Sequence, residues 1–330
     1  MQHGDHKLLR SIRTVCLAVV LAALVLIGTR SGFCQSSTAV RIAVVKSLDL
    51  PEYNLAYEGF ISAVRASGYR AETLPFTLTR DSQSTEATCR AIKDAAPDMI
   101  LALGTRAARE IAGHEKDIPI VYAMVLAMPD DSQEKPSLQS QKNVTGATLN
   151  IPLETQLDDI QKVFPDVRHI GIISNPSKTK RIVESARFMA ESRGLSLHVA
   201  WATKEQDVPT ALRQLRDSIE VLWMIPDATV LTPRSSRYII FELIKSGIPV
   251  IGLSAAYVKA GAVMALDCDY EDIGRQSGEL ASRILGGQSP AGLPETLPRL
   301  YTRALNLKIR EHLRVQMDES VIGDSNVVIY

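Results

Sequence analysis

Aromatic side chains are scarce in this chain: two Trp, and only 5% Phe, Trp and Tyr in all. A Tyr near a strand end is therefore a candidate for ligand stacking. Cysteine is scarcer still, with four in the sequence, two of which, Cys16 and Cys34, fall in or beside an N-terminal apolar segment. Cys89 and Cys268 are far apart, which makes no disulfide framework and no zinc spacing. In an oxidising compartment they either pair or stay as two buried thiols, the commoner state for isolated cysteines. Neither sign of charge is in excess, with 37 Lys and Arg against 37 Asp and Glu. A neutral chain with no basic patch argues against nucleic acid as a partner. The six His are scattered, so no metal is expected. No G-x-G-x-x-G follows the first apolar strand, and the Walker loop, H-E-x-x-H and G-x-S-x-G are all absent. These absences remove the common nucleotide, zinc-protease and serine-hydrolase chemistries. No catalytic constellation and no cofactor is expected.

The chain also lacks a long apolar run. The longest, Val15 to Ile27, is shorter than the roughly 18 residues a membrane-spanning helix needs. Preceded by Lys7, Arg10 and Arg13, it has the form of a secretory signal. Residues 1–34 are read as that signal, cleaved after Cys34; a lipid on Cys34 and an uncleaved N-terminal anchor are the alternatives. Cleavage leaves 33 basic against 36 acidic residues, a mildly acidic exported protein.

What is present is ordinary globular material. The 330 residues, 45% hydrophobic and 22% charged, suffice for two domains of about 150 residues each. The organising stretch is Pro97 to Asn150. It holds two short apolar runs, Met99–Leu103 and Ile118–Met124, that read as strands of a parallel sheet buried on both faces. Between them Ala107, Ala108, Ile111 and Ala112 recur at helical spacing, with Thr105 placed as the helix cap. A helix beginning there aims free N–H groups past the strand tips, where open parallel sheets bind ligands. Gly104, Thr105 and Arg106 are the first site candidates.

Strand and helix patterns alternate on either side of this unit. Before it come strands over Arg41–Lys46 and Thr73–Phe76, a helix ending at Gly68, and a helix over Thr85–Ala95 capped by Ser84. After it, Pro129 to Gln141 reads as an exposed polar loop, and a second series begins near Leu153. That series has strands at His169–Ser174, Leu197–Trp201, Val221–Ile225, Ile248–Leu253 and Ala262–Leu266. Its helices span Ile182–Glu191, Pro209–Ile219, Pro233–Ser246 and Asp272–Leu285. The fold class is α/β: two Rossmann-like lobes with parallel sheets, hinged over a cleft. Polar residues cluster at strand ends: Ser47, Thr105, Ser174, Asn175, Asp227 and Ser254, with Tyr53, Tyr122 and Tyr257 near them in sequence. That mix suits hydrogen bonding and stacking of a small ligand. The same residue types also cap helices and fill turns.

Several stretches together resemble the periplasmic substrate-binding proteins of ABC transporters, in the type I branch that includes tryptophan and tyrosine binders. They are YEGFISAVRASGY, DMILALGTRAAREIA, DIPIVYAMV, KNVTG, FPDVRHIGIISNPS and GIPVIGLSAAYVKAGAVMALDCDYEDIGRQSGELASRILGG. The resemblance implies lobe 1 over 35–147 plus 267–290 and lobe 2 over 148–266 plus 291–330, with hinges at Thr145, Gly146, Asp267 and Asp269. It places ligand contacts on Ser47, Thr105, Ser174, Asn175 and Asp227, and near Tyr122 and Tyr257. It implies a monomer that captures a small molecule and delivers it to ABC transporter membrane subunits. A ligand-sensing module for a membrane receptor is the alternative, and an exported enzyme the third. The chain departs from the family where a Thr-Asp-Pro is usual, here Leu126-Ala127-Met128-Pro129, and where Asp-Asn is usual, here Asp227-Ala228. Asn175-Pro176-Ser177 is followed by Lys178, where the family tends to an acid. Loss of the first carboxylate points to a mainly apolar or aromatic ligand with few charges. Mass spectrometry of the exported protein should give an N-terminus close to Gln35; an intact Met1 or a lipid on Cys34 would decide for one of the alternatives.

Overall fold

The computed structural model describes residues 38–78, 82–126, 138–324 and 326–330. Residues 1–37, on which the expected signal falls, most of the Pro129–Gln141 loop, and Ala127 and Met128 lie outside them. Among the described residues the first sheet has the order β2-β1-β3-β4-β5. Its strands are β1 (Thr38–Lys46), β2 (Tyr69–Thr77), β3 (Met99–Leu103), β4 (Ile120–Val125) and β5 (Val144–Thr148). Helices α1 (Pro51–Ala66), α2 (Ser82–Asp94) and α3 (Thr105–His114) connect them. β3 and β4 are buried along their whole length, which is why they read as unbroken apolar runs.

The second half repeats the winding. Its elements are α4 (Leu153–Val163), β6 (His169–Ser174), α5 (Pro176–Glu191), β7 (Ser196–Trp201), α6 (Val208–Leu215), β8 (Val221–Trp223), α7 (Pro233–Lys245), β9 (Val250–Gly252), α8 (Ala255–Lys259) and β10 (Met264–Cys268). The sheet order is β12-β11-β10-β9-β8-β6-β7, in which β7-β6-β8-β9-β10 follows the pattern of the first sheet. The chain then returns to the first lobe as α9 (Tyr270–Leu285) and comes back to the second as β11 (Tyr301–Leu305), α10 (Leu307–Leu313) and β12 (Val327–Ile329). β11 pairs antiparallel to β10, a reversal in an otherwise parallel sheet.

Several elements differ from the sequence reading. α5 starts six residues earlier than Ile182, because Asn175 caps it and Pro176 occupies the first turn, where a missing N–H costs nothing. Ser84 lies inside α2 rather than at its start. Gly104, not Thr105, is the N-cap of α3, in a left-handed conformation with φ +93°. Residues 291–296, assigned to lobe 2 above, lie on lobe 1: Thr145 Oγ1 donates to Leu293 O at 2.9 Å, and Thr296 N donates to Gly146 O at 2.9 Å.

α9 completes lobe 1 by packing on α1. Phe60 and Val64 of α1 share one buried cluster with Ile273, Leu280, Ala281 and Ile284 of α9. The two backbones approach so closely that a Cβ on Gly274 would stand 1.8 Å from Ala56 O, and one on Gly59 2.0 Å from Glu271 O. Gly274→Ala should therefore destabilise the protein by about 1–3 kcal/mol, as over-packed cores do. Urea unfolding measures this; an unchanged midpoint would refute the close approach.

Candidate binding cleft

A cleft of about 780 Å³ lies where the carboxyl ends of both sheets meet the crossovers between lobes. Leu50, Tyr53, Met124 and Leu126 line it from lobe 1. Leu149–Pro152, Asp267, Cys268, Tyr270 and Leu297 line it from the crossovers. Trp223 and the Ile251–Tyr257 segment line it from lobe 2. This is the position that open parallel sheets offer a ligand. Three crossovers bound it; the sequence reading set the third at 290/291, and the chain makes it later, through Leu297.

Of the nine ligand candidates, Tyr53, Ser254 and Tyr257 line the cleft. Ser254 is the N-cap residue of α8 and makes no side-chain cap bond, so capping does not consume its hydroxyl. The other six lie behind the walls and hold the strand tips in shape. Ser47 Oγ accepts from Ala107 N at 2.8 Å, capping α3 from the neighbouring strand. The Tyr53 hydroxyl bonds to Ser47, and burial pushes this phenol above its usual range. A Cβ on Gly104 would collide with both groups. Thr105 Oγ1 accepts from Leu126 N at 3.1 Å, fixing the end of β4. Arg106 pairs with Glu110 at 2.7 Å along α3. Tyr122 is buried and donates to Glu295 Oε2 at 2.6 Å, tying lobe 1 to the segment after α9. Desolvation and Glu295 both push its phenol far upward.

In lobe 2, Ser174 bonds to Thr179, and the Asn175 side chain accepts from Ser177 N at 3.0 Å as the cap of α5. Asp227 is buried. Its Oδ2 accepts from Asn175 N at 2.7 Å and Thr179 Oγ1 at 3.2 Å, and its Oδ1 from Thr229 N at 2.9 Å and Val230 N at 3.2 Å. Three backbone N–H groups, and a Thr179 hydroxyl shared with Asn175 O, engage its carboxylate, and Asp227 is not among the residues that line the cleft. The hinge candidates divide similarly. Thr145 and Gly146 are interior residues of β5, paired with Val121 and Tyr122 of β4. Gly146 is required by contact rather than by backbone shape, since a Cβ there would stand 2.3 Å from Tyr122 O. Asp269 caps α9 by accepting from Asp272 N at 2.9 Å. Asp267 faces the cleft and accepts from the Tyr270 hydroxyl at 2.6 Å.

Sequence reasoning missed Trp223 and Gln156. Trp223 Nε1 donates to Gln156 Oε1 at 3.0 Å, and Gln156 Nε2 donates to Ile151 O at 2.7 Å, which fixes the indole against the cleft floor. Met124 has φ +60°, and the β4–β5 register shifts there. A non-glycine residue in that region costs on the order of 1 kcal/mol and concentrates at functional sites. No sequence signal marks this backbone conformation.

Asp227→Asn tests the supporting role. One acceptor becomes a donor facing buried donors, so stability should fall by about 1–3 kcal/mol in denaturant titration. An unchanged unfolding midpoint would mean that the four bonds do not hold the turn.

Comparisons place this geometry among known proteins. Residues 41–329 match the family model described as ABC transporter substrate binding protein. A tyrosine-binding protein of Clostridioides difficile is 25% identical over 269 residues, covering 79% of this chain and 77% of the relative. The ligand-free, open structure of a substrate-binding protein with adhesive properties from Clostridium difficile superposes with a TM-score of 0.72 at 22% identity, covering 88% of this chain and 99% of that one. An ABC domain from Streptococcus pneumonia in complex with L-Trp gives a TM-score of 0.68 at 21% identity, covering 89% of this chain and 100% of that one. The fold is the type I periplasmic binding fold, and the chain belongs to the ABC transporter substrate-binding protein family.

Proposed function

We propose that this chain is an exported, non-enzymatic solute-binding protein that takes up a small organic ligand between its lobes and delivers it to ABC transporter membrane subunits. The observation that carries the reading is the cleft of about 780 Å³, walled by both lobes and by every crossover between them. Its volume suits a molecule of amino-acid to drug-fragment size. Its walls are largely apolar and aromatic, in keeping with relatives that bind tyrosine and L-Trp. Among the described residues no group of His, Cys, Asp and Glu is arranged to hold a metal ion, and no helix is long and apolar enough to cross a membrane.

Closure follows from the same geometry. Strand and helix termini are pinned on both sides of the crossovers. Lobe 1 is the first sheet with α9 and the residues to Thr296; lobe 2 is the second sheet with its helices and the tail. Rotation is absorbed at Leu149–Pro152, near Asp269 and at Leu297–Leu300, as in hinge-closing proteins. A thermal-shift screen of metabolites identifies ligands, since one at 100 times its dissociation constant adds about 2.7 kcal/mol. Small-angle scattering should then show a smaller radius of gyration with saturating ligand; an unchanged radius overturns closure.

A further inference from the structure

The ionisable groups of the cleft are unevenly matched. Among the described lining residues the acids are Glu52 and Asp267, and the one cation is Lys259. The Lys259 ammonium already lies over the Tyr330 ring, 5.1 Å from its centroid. Neither acid has an ion-pair partner among the described residues. Asp267 sits at the end of β10, half-buried, with Oδ1 taken by the Tyr270 hydroxyl and Oδ2 given no protein donor. Glu52 lies in the first turn of α1, next to Tyr53. Burial first, then the Glu52 charge, push the Tyr53 phenol up; burial first, then Asp267, push up that of Tyr270, with Glu52 the least of the causes. Burial first, then Asp267 and Asp269, push the Cys268 thiol up to about 12. Negative potential therefore converges on one aromatic corner of an otherwise apolar cleft.

Closing the lobes over a neutral ligand would strip water from Asp267 and leave it unpaired, which is costly in apolar surroundings. Closing over a cation pairs it instead, and the faces of Tyr53 and Tyr270 add cation–π attraction. A ligand carboxylate has no comparable partner. The N-terminal turn of α1 carries Glu52 itself, α8 is only five residues long, and Lys259 is engaged with Tyr330. We propose that the ligand is a small apolar or aromatic molecule bearing one cationic nitrogen and no carboxylate, its charge held by Asp267 and Glu52. The inference rests on the solute-binding reading and names its ligand class. It narrows the expectation built on Leu126–Met128, a mainly apolar or aromatic ligand with few charges, to one that carries a single cationic nitrogen.

The test uses the mature protein and matched probes: tyramine, tryptamine and phenethylamine, each beside its parent amino acid, its deaminated acid and the corresponding alcohol. Thermal shift and calorimetry should show an amine binding at least tenfold more tightly than all three counterparts. Asp267→Asn keeps an acceptor for Tyr270, and Glu52→Gln changes an exposed side chain, so both should fold. Each should weaken the amine about tenfold or more while leaving alcohol binding unchanged. An acid, alcohol or amino acid that binds as tightly as its amine overturns the inference, as does parent affinity for the amine in both variants. If no amine binds while another metabolite class does, the inference fails and the solute-binding reading stands. If no metabolite of any class binds, both fail.

Discussion

The contact on which the molecule depends is the one between α1 and α9, two helices more than 200 residues apart in sequence. Lobe 1 cannot finish its core until β6 to β10 of lobe 2 have been made, because Ile273, Leu280 and Ala281 of α9 cover the face of α1 and the sheet beneath it. A fully buried Ile or Leu side chain is worth roughly 1.5–3 kcal/mol. Gly59 and Gly274 allow the backbones the approach that this burial needs, and Gly278 does so one turn on, against Phe60 O. The return of the chain to lobe 1 has a topological consequence. One return requires another departure, so three strands of chain cross between lobes instead of one, and the cleft is framed by them.

The polar residues at the strand tips show how this frame is kept rigid. Ser47 caps α3 across the sheet, Thr105 holds the end of β4, and Asp227 gathers four donors around the start of α5. Buried polar groups must be satisfied, and here they satisfy one another. The cleft surface left over is mostly apolar, with Asn150, Gln156, Ser254, Lys259 and the two unmatched acids as the main exceptions. Rigid tips and an apolar surface are compatible demands because different residues of the same short loops meet them.

This division explains what the sequence reveals and what it hides. Runs such as Met99–Leu103 and His169–Ser174 match their strands residue for residue, since burial on both faces leaves a direct mark in composition. The alternation of patterns shows two lobes for the same reason. Asn175-Pro176-Ser177 is ambiguous, because a turn and a helix start use the same residues. α8 is too short to show a period. The site is harder still. Asp227 and Asp267 both follow an apolar strand and look alike in sequence, yet one is enclosed by backbone donors and the other faces the cleft. Only the path of the neighbouring loop separates them, and a one-dimensional pattern does not contain that path. Gly146 reads as a hinge for a related reason: a glycine needed for a close contact with Tyr122 is spelled like one needed for flexibility.

The third crossover shows why the hinge proposed there is confined to a few residues. On the lobe 1 side, Thr296 pairs with Ala147 and Thr148, and Glu295 receives the Tyr122 hydroxyl. On the lobe 2 side, Tyr301 is already in register with Cys268, and Arg303 forms a buried pair with Asp159 of α4. Breaking that pair by removing one partner leaves a charge stranded in the core, a penalty of several kcal/mol. Between these anchors only Leu297–Leu300 remain, and Arg299 is itself held by Asp272 and Glu279 of α9. A short link fixed at both ends permits rotation about the line joining the crossovers and resists sliding. In the closure proposed above, the lobes swing over the cleft without losing the alignment of its walls, so that residues contributed by each lobe meet one ligand in the same geometry.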